Sequence, residues 1–437
     1  MLARTLRLRY ATLGLMATIS TYVFLDPSVL RGGRGYDILA EHDGPASQVD
    51  FGSECSPFSS GSMSHVTIVL KIGAGETATK LPAYTERLDH CGPDLLIFSD
   101  RKDQQSGYEI VDALANLRPE YRNGNPDFDI YDRIQDMNMT EGKSHEGWRL
   151  DKYKFLPMME WTAYMRPNSQ WFVFVELDTY VNYDNMHRFL TTFNPRKAYY
   201  FGSPVWPKIP FAHGGSGYVL SRGALEKMMT LGRRFREDQQ LPGTHFFGQD
   251  IERFCCGDEV LAHVLKQCGI SLRGYWPMFN GEKPSTLPFN KEQWCEAVLT
   301  LHHLGDDDFA DLEKWETIRS QRSRPLTFEG LFAMIEPHIQ NDAEDWSNMS
   351  EDAEYGEGES PAVSFDRCYE ACLNEIKCMQ FEYSAVECRL GYSVRLGHRQ
   401  PPADGRKWTS GWMKERTEAF KSAHSPCQGA RLVHSNP

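Results

Sequence analysis

The chain has 437 residues, 41% of them hydrophobic and 12% aromatic, which excludes a globally disordered protein and suggests two domains with tails. Its formal net charge of −13 disfavours nucleic acid as a partner, because the chain as a whole repels a phosphate backbone. The acidity is concentrated: residues 341–359 hold eight acids and no base, so residues 341–362 read as a solvated acidic linker.

In chain order, Arg4, Arg7 and Arg9 belong to a short cytoplasmic tail, residues 1–9, ahead of the uncharged stretch Tyr10–Leu25. As a helix its sixteen residues span about 24 Å, short of the roughly 30 Å hydrocarbon core. A cleaved signal peptide and an uncleaved signal anchor both fit. The lack of a small-x-small cleavage site after Leu25, and the thinner early endomembranes, favour the anchor. Either way the rest enters the lumen, giving a single-pass type II protein of the Golgi or endoplasmic reticulum. Eleven cysteines without a Cys-x-x-Cys pair are then expected to form disulfides. Asn138-Met-Thr140 and Asn348-Met-Ser350 are glycosylation acceptors for that compartment.

Residues 26–63, rich in Gly, Ser, Pro and Asp, read as a stem, and an ordered domain follows over 64–340. Val66–Ile72 and Asp94–Asp100 are short apolar runs on either side of a helical pattern, which makes a βαβ unit and predicts an open α/β fold with a parallel sheet. Helices are expected around Glu109–Asn116, Trp148–Arg166, Asn185–Phe193, Arg222–Arg234 and Asp258–Cys268, with strands at Trp171–Val175 and Ala198–Gly202.

The strand Phe172-Val-Phe-Val runs directly into Glu176-Leu-Asp178. In extended backbone residues i and i+2 share a face, and open α/β sheets bind ligands at the carboxyl ends of their strands. Two carboxylates there suit a hard divalent cation such as Mn²⁺ or Mg²⁺; the plainer alternative is a turn cap and a solvated glutamate. His213-Gly214-Gly215-Ser216-Gly217-Tyr218 allows close approach of a ligand to backbone, though a lone Gly-rich turn is weak. Asp258 opens a helix, where an N-cap is the ordinary role. His302 and His303 lie at a strand end, and one could complete a metal site.

Taken together, acid-x-Asp-Thr-Tyr-Val, then Gly-Gly-Ser-Gly-Tyr-Val-Leu-Ser, a helix-opening Asp and a late His resemble the Fringe and core-1 β1,3-galactosyltransferase family (glycosyltransferase family 31) over roughly residues 64–305. The resemblance implies a GT-A, Rossmann-like catalytic domain. It also implies metal-dependent, inverting transfer of a hexose, galactose being the family's suggestion, from a UDP-sugar to a glycan or glycoprotein hydroxyl in a β1,3 linkage. Carried over residue by residue, the metal falls on Glu176, Asp178 and His302, with His303 as the alternative histidine, and the catalytic base on Asp258. The donor falls on Asp100, Lys152, Lys154, Glu176, Gly214 and Gly215. The family usually has three consecutive Asp where this chain has Glu-Leu-Asp. That departure favours a rival reading as an inactive, lectin-like membrane protein that binds glycans; a hydrolase with paired carboxylates is a second rival.

Residues 363–437 carry Cys368-x3-Cys372-x5-Cys378-x9-Cys388, which with Trp408-Thr-Ser-Gly-Trp412 resembles a PAN/Apple module, a disulfide-stapled α+β domain that binds protein or carbohydrate. The resemblance implies Cys368–Cys388 and Cys372–Cys378 bridges and leaves Cys427 unpaired. The alternative is a stapled cap without a ligand.

Overall fold

The computed structural model describes residues 61–89, 91–117, 122–136, 147–206, 209–239, 251–319, 324–403 and 405–432. The Tyr10–Leu25 stretch and Asn138 lie outside these. Among the described residues no helix is long and apolar enough to cross a membrane.

The N-terminal part of the described chain is built on an eight-stranded sheet. β1 (Val66–Lys71) pairs in parallel with β2 (Asp94–Ser99) on one side and with β5 (Trp171–Val175) on the other. β2 continues in parallel to β4 (Tyr108–Asp112), whose antiparallel neighbour is β3 (Asp103–Gln105) at the edge. On the other flank β10 (Tyr218–Ser221) runs antiparallel to β5 and to β7 (Tyr200–Gly202), and β11 (Arg273–Gly274) closes the sheet. The expected parallel core is present, and β10 makes the whole sheet mixed.

Strand alternation builds two apolar layers. Phe172 and Phe174 of β5 point to one face, where α3 (Asp151–Met165) and α6 (Gly257–Gln267) pack; Trp171, Val173 and Val175 point to the other, with α1 (Leu81–Asp89) and α4 (Tyr183–Leu190). All five residues of β5 are buried, as a central strand of a covered sheet requires. α3 is buried nearly all round, from Tyr153 through Met159, so its sequence reads as apolar rather than amphipathic.

Three expectations are corrected here. Glu109–Asn116 is not helical: Tyr108–Asp112 alternates its burial and hydrogen-bonds to β2, so the sheet edge wins over local helical pattern. The acidic segment is not a linker. β13 (Asp342–Glu344) pairs with β19 (Thr409–Trp412), and β15 (Ala353–Tyr355) pairs with β17 (Glu387–Gly391), flanking β16 (Gln380–Ser384) in a five-stranded antiparallel sheet. Three of its eight acids sit on these edge strands and turn outward: Asp342, Glu344 and Glu354 are exposed, while Ala343, Ala353 and Tyr355 are half-buried. Asn348, finally, cannot accept a glycan in the folded chain. Its side chain is fully buried and donates to Phe381 O at 3.0 Å and Gly411 O at 3.2 Å, while Ser350 Oγ donates to its oxygen.

The C-terminal sheet is covered by α9 (Phe365–Asn374), held by disulfides Cys368–Cys388 (2.00 Å) and Cys372–Cys378 (1.98 Å), the two pairs the module resemblance implied. Cys427 is not unpaired: it is bonded to Cys295, across 132 residues and outside the C-terminal sheet. One apolar cluster spans both parts, with Phe289, Trp294 and Phe332 against Val394, Trp412 and Cys427. Phe289 and Val394 exchange backbone hydrogen bonds of 2.8 and 3.1 Å, so the two regions share a core.

Candidate active site

Because β1 and β5 are parallel and in register, with Leu70 opposite Val175, their carboxyl ends deliver Lys71 and Glu176 side by side. Lys71 Nζ lies 2.9 Å from Glu176 Oε1, 2.5 Å from Asp151 Oδ1 at the start of α3, and 4.8 Å from the Phe155 ring. Burial works against charge on both partners, yet Lys71 is held well above its ordinary range by Asp151, Glu176 and Asp258, and Glu176 is held below its range by Lys71.

Glu176 and Asp178 do not share the face expected of extended backbone. Thr179 N donates to Glu176 O at 3.1 Å, closing a turn that sends Glu176 to Lys71 and Asp178 elsewhere. Thr179 Oγ1 fixes that turn to the glycine loop by donating to Gly215 O at 2.8 Å.

β12 (Thr300–Leu301) pairs antiparallel with β6 (Tyr180–Val181), which returns His302 to the strand end just left by Asp178. His302 Nε2 is 3.3 Å from Asp178 Oδ1. Asp178, His302 and His303 each offer a ligand atom within 4.8 Å of the others, and Glu176 lies outside this group. The two histidines carried as alternatives therefore come together; His303 reaches the cluster from a left-handed backbone, φ 63°. His302 is buried with Nδ1 unpartnered. His213, whose ring centre is 5.5 Å from that of His302, is pushed down to about 4 by burial and then by His302; His303 is lowered for the same two reasons. Two imidazoles beside a carboxylate form a mixed nitrogen and oxygen donor set that suits Mn²⁺.

The glycine loop separates this cluster from Asp258. A Cβ on Gly214 would stand 2.5 Å from Asp258 Oδ1, and one on Gly215 would stand 2.2 Å from the His302 ring. Consecutive glycines thus face the acid on one side and the histidine on the other. Gly214 N donates to Asp258 Oδ2 at 3.1 Å, while Oδ1 is buried without a partner. Asp258 is not the helix cap, a position taken by Cys256; it is the second residue of α6. A helix N-terminus by itself favours a carboxylate, but burial dominates here. With Asp151 and Glu176 adding to it, Asp258 is pushed up to about 7 despite Lys71 and the Gly214 amide.

Of the remaining candidates, Lys154 and Asp100 meet. Lys154 is buried, donates to Ile72 O at 3.2 Å and lies 3.9 Å from Asp100 Oδ2; Asp100 accepts from Ala74 N at 2.7 Å. Lys152 turns away from them to Asp127 Oδ2 at 3.3 Å. Lys71 and Asp151 were not foreseen. A lysine ending an otherwise apolar strand was the available signal, since such a charge needs a partner when buried.

A family model described as Fringe-like matches residues 123–253, so the chain carries a Fringe-like domain of the glycosyltransferase family 31 type, and the protein is a glycosyltransferase. A solved structure described as "crystal structure of a glycosyltransferase involved in the glycosylation of the major capsid of PBCV-1" is 14% identical. The match covers 57% of this chain and 98% of that chain with a TM-score of 0.26, too loose to add weight.

Proposed function

We propose that the protein moves a hexose from a UDP-sugar to a hydroxyl of a glycan or glycoprotein, with inversion and in a β1,3 linkage, on a GT-A catalytic domain. The observation that carries this reading is Asp258: one carboxylate oxygen is pinned by the Gly214 amide and the other is unpartnered, one glycine away from His302. As the acceptor oxygen forms its bond to the anomeric carbon, Asp258 Oδ1 takes the hydroxyl proton. The bond from that carbon to the diphosphate breaks on the opposite side, and a single displacement inverts the centre.

Asp178 and His302, with His303, would hold a divalent cation, Mn²⁺ by the donor set, which when bound supplies positive charge to the departing diphosphate. Glu176 serves the site through Lys71 instead of as a ligand. Lys154 and Asp100, joined at the carboxyl ends of β1 and β2, border the donor side.

We infer a lumenal setting behind the Tyr10–Leu25 anchor, in Golgi or endoplasmic reticulum. The disulfides support an oxidising compartment, and the Cys-stapled C-terminal sheet supports the PAN/Apple reading. The test is a screen of UDP-sugars with the purified full lumenal region, scored by UDP release with Mn²⁺ or EDTA. Release that needs acceptor and Mn²⁺, and that Asp258→Asn abolishes, is the expected result; no release from any sugar nucleotide overturns the reading.

A further inference from the structure

The unforeseen Lys71 sits at the centre of the charged groups around the reaction. Asp151 is at 2.5 Å and Glu176 at 2.9 Å, and the Phe155 ring that lies 4.8 Å from the ammonium packs so closely on Gly257, the residue before Asp258, that a Cβ there would stand 2.0 Å from it. Three carboxylates crowded in a poorly solvated space repel one another, and each is cheaper protonated unless a cation stands among them. Lys154 also reaches Asp151, at 3.8 Å, but is committed to Ile72 O and Asp100. The groups whose charge bears on Asp258 are Lys71 from β1, Asp151 from α3, Glu176 from the end of β5, Tyr218 from β10 and Tyr200 from β7. On α6 itself Glu259 is occupied in accepting from Cys255 N at 3.0 Å. Lys71 is the cation of this set.

We propose that Lys71 is a positioning residue for transfer: its ammonium is the shared counter-ion that turns Glu176 from the metal cluster and keeps Asp258 an anion able to accept the acceptor's proton. It touches neither reacting atom and acts through the two carboxylates. The inference rests on reading Asp258 as the base.

The cluster gives opposite signs for two neighbouring changes, which a merely structural role does not. Lys71→Met removes the charge that favours ionised Asp258, so the acid limb of the kcat/KM profile moves up by about one unit or more. Turnover at pH 7 then falls about 5-fold or more and is partly restored at higher pH. Asp151→Asn removes a repelling charge, so the limb moves down. Lys71→Arg keeps the charge and holds the limb near its wild-type place.

The experiment is the pH dependence of transfer by the full lumenal protein and these three variants, with Tm measured alongside. An acid limb unmoved in Lys71→Met, or moved the same way in Lys71→Met and Asp151→Asn, overturns the proposal. Should Lys71→Met fail to fold, Asp151→Asn decides: a lowered limb supports it, and an unmoved or raised limb overturns it. Asp258→Asn separates the two readings. Normal transfer there sinks Asp258 as the base; lost transfer there with unmoved limbs sinks Lys71 alone.

Discussion

Gly215 and His302 approach so closely that a single added carbon on the glycine would fall 2.2 Å from the imidazole, well inside van der Waals contact. On the other side of the same turn, a carbon added to Gly214 would fall 2.5 Å from Asp258 Oδ1. The turn therefore sets the spacing between the acid and the histidine, and the absence of side chains is its function.

Gly215→Ala is expected to lower transfer by about 100-fold or more, since displacement of a reacting group by 1 Å has that scale. Mn²⁺ binding should weaken with it, because the added methyl must push the His302 ring aside. Binding measured by isothermal titration and transfer measured by UDP release check both; wild-type values in both assays would contradict the packing argument.

Asp258→Asn should lose about 10²-fold or more in transfer while keeping the Gly214 hydrogen bond. Its stability has a definite pH signature. With Asp258 raised from 3.8 to about 7, the native state between those values holds a proton that the unfolded chain has lost. Asp258 thus subtracts stability as pH rises from about 4 to about 7. The variant's Tm should match or exceed wild type at pH 8, with the gap closing towards pH 4. Wild-type kcat/KM should climb over the same range as the base ionises.

Asp178→Asn, His302→Ala and His303→Ala should each reduce Mn²⁺ affinity by about tenfold or more, read by titration without substrate. Glu176→Gln should change it less, because Glu176 is tied to Lys71 and lies outside the three-residue group. Equal losses for Glu176→Gln and Asp178→Asn would return Glu176 to the ligand set.

Removing the C-terminal region should unfold the catalytic region. From the acidity of residues 341–359 one expects a separable tail, but truncation at Asn341 exposes Phe289, Trp294 and Phe332 and orphans Cys295. Cys427→Ser alone should cost about 2–5 kcal/mol, the range for a lost native disulfide. Denaturant unfolding followed by tryptophan fluorescence measures it, and a truncated chain that melts cooperatively at the wild-type Tm would show two independent domains.

Much of the fold was legible from local pattern. Val66–Lys71, Asp94–Ser99 and Trp171–Val175 announce themselves because strands covered on both faces need unbroken apolar runs. The acidic strands did not, since an edge strand hydrogen-bonds through its backbone whatever charges it turns outward. Within the site, motif spacing and the family resemblance pointed to Asp178, His302 and Asp258, which the fold brings to the two sides of one glycine turn, and Asp100 lies beside Lys154. Lys71 escaped because its meaning depends on register: only the parallel pairing of β1 with β5 puts it against Glu176. Asp258's raised pKa escaped as well, because a helix start is visible in sequence whereas the burial that outweighs it is not.

The bond between Cys295 and Cys427 ties the chain into a ring of more than a hundred residues. A protease that cuts once anywhere inside that ring leaves two pieces of chain still joined in one particle. On a denaturing gel such nicked molecules run as a single band until a reductant is added, and only then separate into fragments. Damage to this enzyme can accumulate without loss of mass, and its integrity has to be judged from reduced samples.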